Sequence, residues 1–219
     1  MKFSGCDVSV VRRPVKNIRI SVLPDKTIKV VAPPGFDVNS VLNEKKAWIL
    51  KHVRQISENT PCSLNDDKFL IYGIYYDICG GDSCRIDFQD EVIFYSSPSD
   101  LENYLKERLK NDLTPRLDYF SEDMGVSYNR YSVKKQKTRW GSCSSKGNLN
   151  FNLRLIGLPP HLRDYVIVHE LAHLKEMNHS RSFWSVVENH CPLYRDHRKE
   201  LKKYWLLLNQ NKIWTSLLE

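Results

Sequence analysis

Val166-Ile167-Val168-His169-Glu170-Leu171-Ala172-His173 carries the strongest chemical signal in the chain. Its H-E-x-x-H spacing sets His169 and His173 on one face of a helix, about one turn apart. Two imidazoles so placed can share one zinc ion at about 2.0–2.1 Å. Glu170, beside the first ligand, reaches the open side of the metal. A carboxylate there takes a proton from an activated water and hands it to the leaving group. The motif is short, and its bland alternative is an amphipathic helix that happens to hold two His and a Glu. The apolar setting decides between them, because a Glu and two His buried in such a helix are costly without a metal or partners. Pro159-Pro160 suits the first turn of this helix, expected over His161 to about Met177.

Zinc needs a third protein ligand. His179 is preferred: Met177-Asn178 can end the helix and turn the chain back, and Ser180 can cap the next helix. Glu188, His190 and His197 are the rivals. The ten-residue span from His169 to His179 also occurs in metzincins, but those require Gly where this chain has Glu176, and a methionine turn downstream of Met177, the last Met.

Outward from this block, the chain has 219 residues, 41% of them hydrophobic and 27% charged, which fits one large globular domain or two small ones. No apolar run is long enough for a membrane span and no secretory h-region is visible, so a cytoplasmic protein without membrane contact is expected. The six cysteines, Cys6, Cys62, Cys79, Cys84, Cys143 and Cys191, form no C-x-x-C pair and read as reduced thiols. Residues 1–123 carry 17 basic and 19 acidic residues, a net of −2; residues 124–219 carry 16 and 7, a net of +9. That field suits an anionic partner, a nucleotide or nucleic acid among them, or is a solvated basic surface.

Alternating apolar residues from Asp7 to Ala32 predict three strands, with a turn at Pro24-Asp25-Lys26. One helix is expected from about Asp37 to Ser57, with Val38, Val41, Leu42, Ala47, Trp48, Ile49, Val53 and Ile56 facing inward, then a loop over Asn59 to Asp67. Strands are expected over Phe69 to Ile78 and Cys84 to Tyr95, with bends at Gly73 and Gly80-Gly81-Asp82. Ser97 to Asp100 cap a helix with Leu101, Leu105, Leu109 and Leu113 on one face, and Pro115 is a candidate kink. Val126 to Leu155 is strand-like, and two helices at about 181–190 and 193–209 follow the motif, separated by Cys191-Pro192. The fold class is α+β: a mostly β region with one helix over 1–97, a connecting helix over 98–123, and a zincin-like catalytic domain over 124–219.

Several further stretches are distinctive: Arg139-Trp140-Gly141-Ser142-Cys143, Leu149-Asn150-Phe151-Asn152-Leu153-Arg154-Leu155, Asp164 to His173, and Asn178-His179-Ser180-Arg181-Ser182-Phe183-Trp184. With Ala32-Pro33-Pro34-Gly35 and Lys46-Ala47-Trp48-Ile49, they make the chain resemble the YgjP-like metal-dependent hydrolases, grouped with the SprT-like and WLM zinc proteases. Phe151 stands where that family commonly has Trp. The resemblance implies a zincin-type domain with zinc on His169, His173 and His179, and Glu170 as general base. It also implies that Arg139, Trp140 and Gly141 belong to a cleft strand that pairs with an extended peptide substrate.

The remaining residues have two readings each. Arg139 either meets a substrate carboxylate or phosphate or forms a structural ion pair. Trp140 and Trp184 read as core, Tyr165 as packing, and Asp164 as a favourable charge in the first helical turn rather than an imidazole acceptor. Lys134, Lys135, Lys137 and Arg139 read as a basic strand, with the last three on one face. The expected function is zinc-dependent hydrolysis of a peptide bond in a peptide or protein substrate. The alternatives are a nucleotide or phosphoanhydride hydrolase on the same metal, and a nucleic-acid-associated protease or binding module.

Overall fold

The structure, a computed structural model, describes residues 1–23, 26–59 and 68–218, without the side chains of 55–59. Pro24 and Asp25 of the expected turn, the inward role of Ile56, Cys62 and most of the expected 59–67 loop lie outside the described residues. The chain forms two compact units, Met1–Leu64 and Asn65–Glu219.

In the first unit, β1 (Lys2–Phe3), β2 (Cys6–Arg12), β3 (Arg19–Val22) and β4 (Ile28–Ala32) make one sheet in the order β1-β2-β4-β3. The β2–β4 pair is parallel and β3–β4 antiparallel. The alternation buries Ile28, Val30 and Ala32 under Val38, Leu42 and Ile49. The single helix expected over 37–57 is two, α1 (Val38–Glu44), capped by Asp37, and α2 (Lys46–Asn59), parted at Lys45. Trp48 and Ala47 are exposed. At 100° per residue they sit one and two steps off the Ile49 position, so they leave the buried stripe.

The second unit begins with β5 (Phe69–Ile71), β6 (Ile74–Gly80), β7 (Arg85–Asp87) and β8 (Val92–Tyr95), in the order β5-β6-β8-β7. Tyr72 and Gly73, both at positive φ, form the tight turn between β5 and β6. Helix α3 (Pro98–Asp123) is capped by Ser97 and buries Leu101, Leu105, Leu109, Leu113 and Leu117. A smaller sheet, β10-β11-β9, contains β9 (Arg130–Lys134), β10 (Gly141–Cys143) and β11 (Asn148–Asn152). A 3₁₀ turn over Leu153–Gly157 leads into α4 (Pro160–Ala172), followed by α5 (Arg181–His190), α6 (Tyr194–Gln210) and α7 (Lys212–Leu218). The sequence pattern did not indicate α7.

The observed division differs from the expected boundary after residue 97. The β5–β6 turn is tied to the 3₁₀ segment, Tyr72 N–H to Ile156 carbonyl at 2.7 Å and Gly73 N–H to Gly157 carbonyl at 3.0 Å. The Trp214 indole donates to the Leu70 carbonyl at 2.8 Å. Phe69, Leu70, Ile71, Tyr76 and Ile93 therefore share one core with α3, α4 and α7. Among the described residues, no helix is long and apolar enough to cross a membrane.

Candidate metal centre

Helix α4 is apolar on nearly every side, with Val166, Ile167, Val168, Leu171 and Ala172 buried. It ends sooner than expected, at Ala172 rather than near Met177. His173 is its C-cap but keeps right-handed helical dihedrals, so the i, i+4 relation to His169 survives. A tightened turn carries the chain onward, with Glu176 N–H donating to the Ala172 carbonyl. Asn178 Oδ1 accepts from Ser180 N–H, and Ser180 then caps α5 by accepting from Phe183 N–H.

This path brings His179 back beside the helix. One ring nitrogen from each of His169, His173 and His179 lies within 4.8 Å of the other two. The Nε2 atoms of His169 and His179 are 3.1 Å apart. Four ligands at zinc–nitrogen distance in a tetrahedron have edges of about 3.3–3.4 Å. His173 Nδ1 lies 3.2 Å from the Glu176 carbonyl. A carbonyl only accepts, so Nδ1 carries the proton and Nε2 keeps its lone pair. His169 Nδ1 is buried with no hydrogen-bond partner among the described residues. The three imidazoles fit a divalent transition metal in number, donor type and spacing. The rivals are engaged elsewhere: Glu188 faces Arg195 at 3.7 Å, His190 meets Asp123 at 2.6 Å, and His197 meets the Cys191 sulfur at 3.3 Å.

Phe183 forms a floor that the sequence did not flag. Its ring centre lies 5.0, 4.6 and 4.6 Å from those of His169, His173 and His179. Trp184 stacks on His179 and carries the Arg198 guanidinium 4.5 Å above its ring. Burial, together with the charges of His173, His179 and Arg198, pushes the His169 pKa down to about 3. Burial also lowers that of His173.

Glu170 is 5% exposed. Burial pushes its carboxyl up to about 8, and Arg139 opposes that shift. Gly141 of β10 faces it. A Cβ on that residue would stand 2.7 Å from Glu170 Oε1 and 2.8 Å from its Cγ. Only the missing side chain lets the strand approach so closely.

The wall opposite α4 is built by long-range hydrogen bonds. Asn152, fully buried, donates from Nδ2 to the carbonyls of Gln136 and Arg139, each at 2.7 Å. Arg154, 8% exposed, donates to the Gln136 carbonyl at 2.9 Å and to Asn209. Residues 135–140 are therefore not strand, and the basic face expected from Lys135, Lys137 and Arg139 does not form. Lys135 turns to Glu102 at 3.1 Å. Trp140 packs edge-on against Trp205, and Asp164 forms a two-point pair with Arg116. Trp140 and Tyr165, read as packing residues, also line the cleft. Sequence spacing held no signal for the Asn152–Arg154 clamp, because its partners lie 13 to 18 positions away outside any repeat.

Two cavities meet where Gly141 faces Glu170. One, of about 350 Å³, holds the three histidines with Ser142, Cys143 and Met177. The other, of about 260 Å³, is walled by Trp140, Tyr165, Val166 and Leu201. Arg139, Gly141, His169 and Glu170 border both.

A helix-borne histidine cluster with a buried glutamate in a cleft is an arrangement of metallopeptidases, and residues 16–204 match the family described as YgjP-like, metallopeptidase domain. The chain belongs to this YgjP-like family and is, at that level, a metal-dependent peptidase. The crystal structure of the metallopeptidase zymogen of Pyrococcus abyssi abylysin aligns with 40% of this chain and 91% of its own, at 25% identity and a TM-score of 0.35. No curated protein matches the chain.

Proposed function

We propose that the chain is a zinc-dependent peptidase with His169, His173 and His179 as metal ligands and Glu170 as general base. The observation that carries this reading is the buried Glu170 carboxyl set beside three converging imidazoles. Zinc bound there would supply Lewis-acid activation of water and of the scissile carbonyl. Glu170 accepts the proton of the attacking water and delivers it to the leaving nitrogen. A cation at the imidazoles favours its ionised form, as does Arg139. Phe183 and Trp184 pack against the imidazoles and hold the rings in place.

Substrate binding is assigned to Arg139, Trp140 and Gly141. Among the described residues β10 pairs only with β11, which leaves its outer edge for an extended peptide. Free thiols at Cys6, Cys79, Cys84, Cys143 and Cys191 agree with a reducing, cytoplasmic setting. The +9 half does not favour the nucleotide or nucleic-acid readings. Lys135, Arg163, Arg195 and Lys199 are paired to carboxylates, and Arg154 is buried.

Elemental analysis of purified wild type, His179→Ala and Glu170→Gln tests the assignment. About one zinc per chain is expected in wild type and in Glu170→Gln, and near none in His179→Ala. Peptidase activity should be lost in both variants. Wild type that is folded but holds no stoichiometric metal overturns it.

A further inference from the structure

The cleft region holds two arginines, Arg139 and Arg198, outside the protein's ion pairs. Among the described residues, neither Arg139 nor Arg198 has a carboxylate within ion-pair distance. Other arginines of this unit, Arg116, Arg163 and Arg195, do. Arg139 borders the apolar cavity, and Arg198 stands on α6 about one turn from its wall. Arg139 lies on its rim, exposed, with its backbone carbonyl fixed by Asn152. Arg198 rests on Trp184, one turn of α6 before Leu201 in the cavity wall. The charge of Arg198 reaches Tyr165 and His169, and that of Arg139 reaches Glu170. The cavity offers Trp140, Tyr165, Val166 and Leu201, with no acidic residue but Glu170.

An apolar recess with unpaired cations at its mouth selects an apolar group that carries an anion beside it. The metal side of the cleft is lined instead by the three histidines with Ser142, Cys143 and Met177. The two ends of a bound peptide therefore meet unlike chemistry, divided at the Gly141–Glu170 contact.

We infer that the 260 Å³ cavity takes an aliphatic or single-ring aromatic side chain next to the scissile bond, and that Arg139 and Arg198 bind a carboxylate beside that side chain. This rests on the peptidase reading for the meaning of the scissile bond, but not for the binding chemistry. The carboxylate is either the C-terminal group of the peptide or an Asp or Glu side chain. The first makes the enzyme trim chain ends, and the second makes it cut within acidic sequences.

The test is binding, followed separately by cleavage, with the full chain loaded with zinc. Alanine-based hexapeptides carrying one Leu are compared in three forms: Leu at a free C-terminus, the same peptide amidated, and an amidated peptide with Leu-Asp inside. Binding is read by tryptophan fluorescence and calorimetry. At least tenfold tighter binding of one or both carboxylate forms over the plain amide is expected. That preference should vanish in Arg139→Gln with Arg198→Gln, and weaken as salt is raised. Replacing Leu by Lys should weaken binding by a similar factor. Equal binding of acid and amide forms, or a preference that persists in the double variant, overturns the inference. Cleavage of all three forms at equal rates does so too, while leaving the peptidase reading intact. Selective binding without cleavage of any peptide supports the inference and removes the peptidase reading instead.

Discussion

The two walls of the cleft are built by opposite means. The α4 wall is local: His169 and His173 meet because four residues of helix bring them together, and His179 joins after one short turn. The Arg139–Gly141 wall is not local at all. Its backbone is held by Asn152 and Arg154, side chains of a later strand and turn, and its approach to Glu170 depends on an absent Cβ. The first wall should govern whether metal is held, and the second whether substrate is placed. Variants on either side can break that division.

Loss of a ligand should give the largest effect. His169→Ala is expected to weaken zinc binding by more than about 100-fold, beyond what the loss of an outer partner of a ligand costs. The thermal signature is separate from activity. Saturating zinc at about 1,000 times Kd stabilises by about 4 kcal/mol, or roughly 8–16 °C for a unit of this size. Calorimetric scans with and without zinc should show that shift in wild type and not in His169→Ala. A full shift in the variant would detach His169 from the metal.

Gly141→Ala should strike catalysis while sparing the metal. The added Cβ meets Glu170 Oε1, Cγ and Cδ all within 2.9 Å, so the carboxyl must move. A displacement of that order costs about 100-fold in kcat. Zinc content should stay at the wild-type level. Loss of zinc instead would show that the two walls are not independent.

Asn152→Ala probes the clamp itself. It strands the Arg139 carbonyl and leaves the Gln136 carbonyl to Arg154 alone. A destabilisation of about 1–3 kcal/mol is expected, read as a fall in the urea midpoint. At temperatures where the variant is folded, KM for peptides should rise more than kcat falls. A fall in kcat with KM unchanged would move Asn152 from positioning the substrate strand to serving Glu170.

The same contrast explains what was legible in the sequence. A helix turns spacing into proximity by a fixed rule, so the neighbourhood of His169, Glu170 and His173 could be read from five residues. His179 was also within reach, because Asn178 and Ser180 have the chemistry of a turn and a cap. The opposite wall obeyed no such rule. Lys134 to Arg139 alternate like a strand, but the ladder stops at Lys134, the carbonyls of Gln136 and Arg139 go to the side chains of Asn152 and Arg154, and Lys135 turns away to Glu102. The boundary expected after residue 97 failed for a related reason. The bond from Trp214 to Leu70 spans 144 positions, and no local pattern records it.

Asp164 gives the smallest effect and the sharpest control. It lies on α4, one turn and one residue before His169, where an acceptor for a ligand imidazole would be natural. Instead both its oxygens are taken by Arg116 of α3, at 2.8 and 2.7 Å. The His169 Nδ1 that such an acceptor would serve has no hydrogen-bond partner among the described residues. The pair is partly exposed, with side chains 43% and 28% accessible, so its net contribution is about 0–1 kcal/mol. Asp164→Asn should therefore lower stability by no more than that and leave the zinc affinity unchanged, as measured by competition with a chromophoric chelator. A tenfold loss of affinity would mean that the α3–α4 pair holds the helix in register for its histidines. The α4 wall would then be no more local than the one facing it.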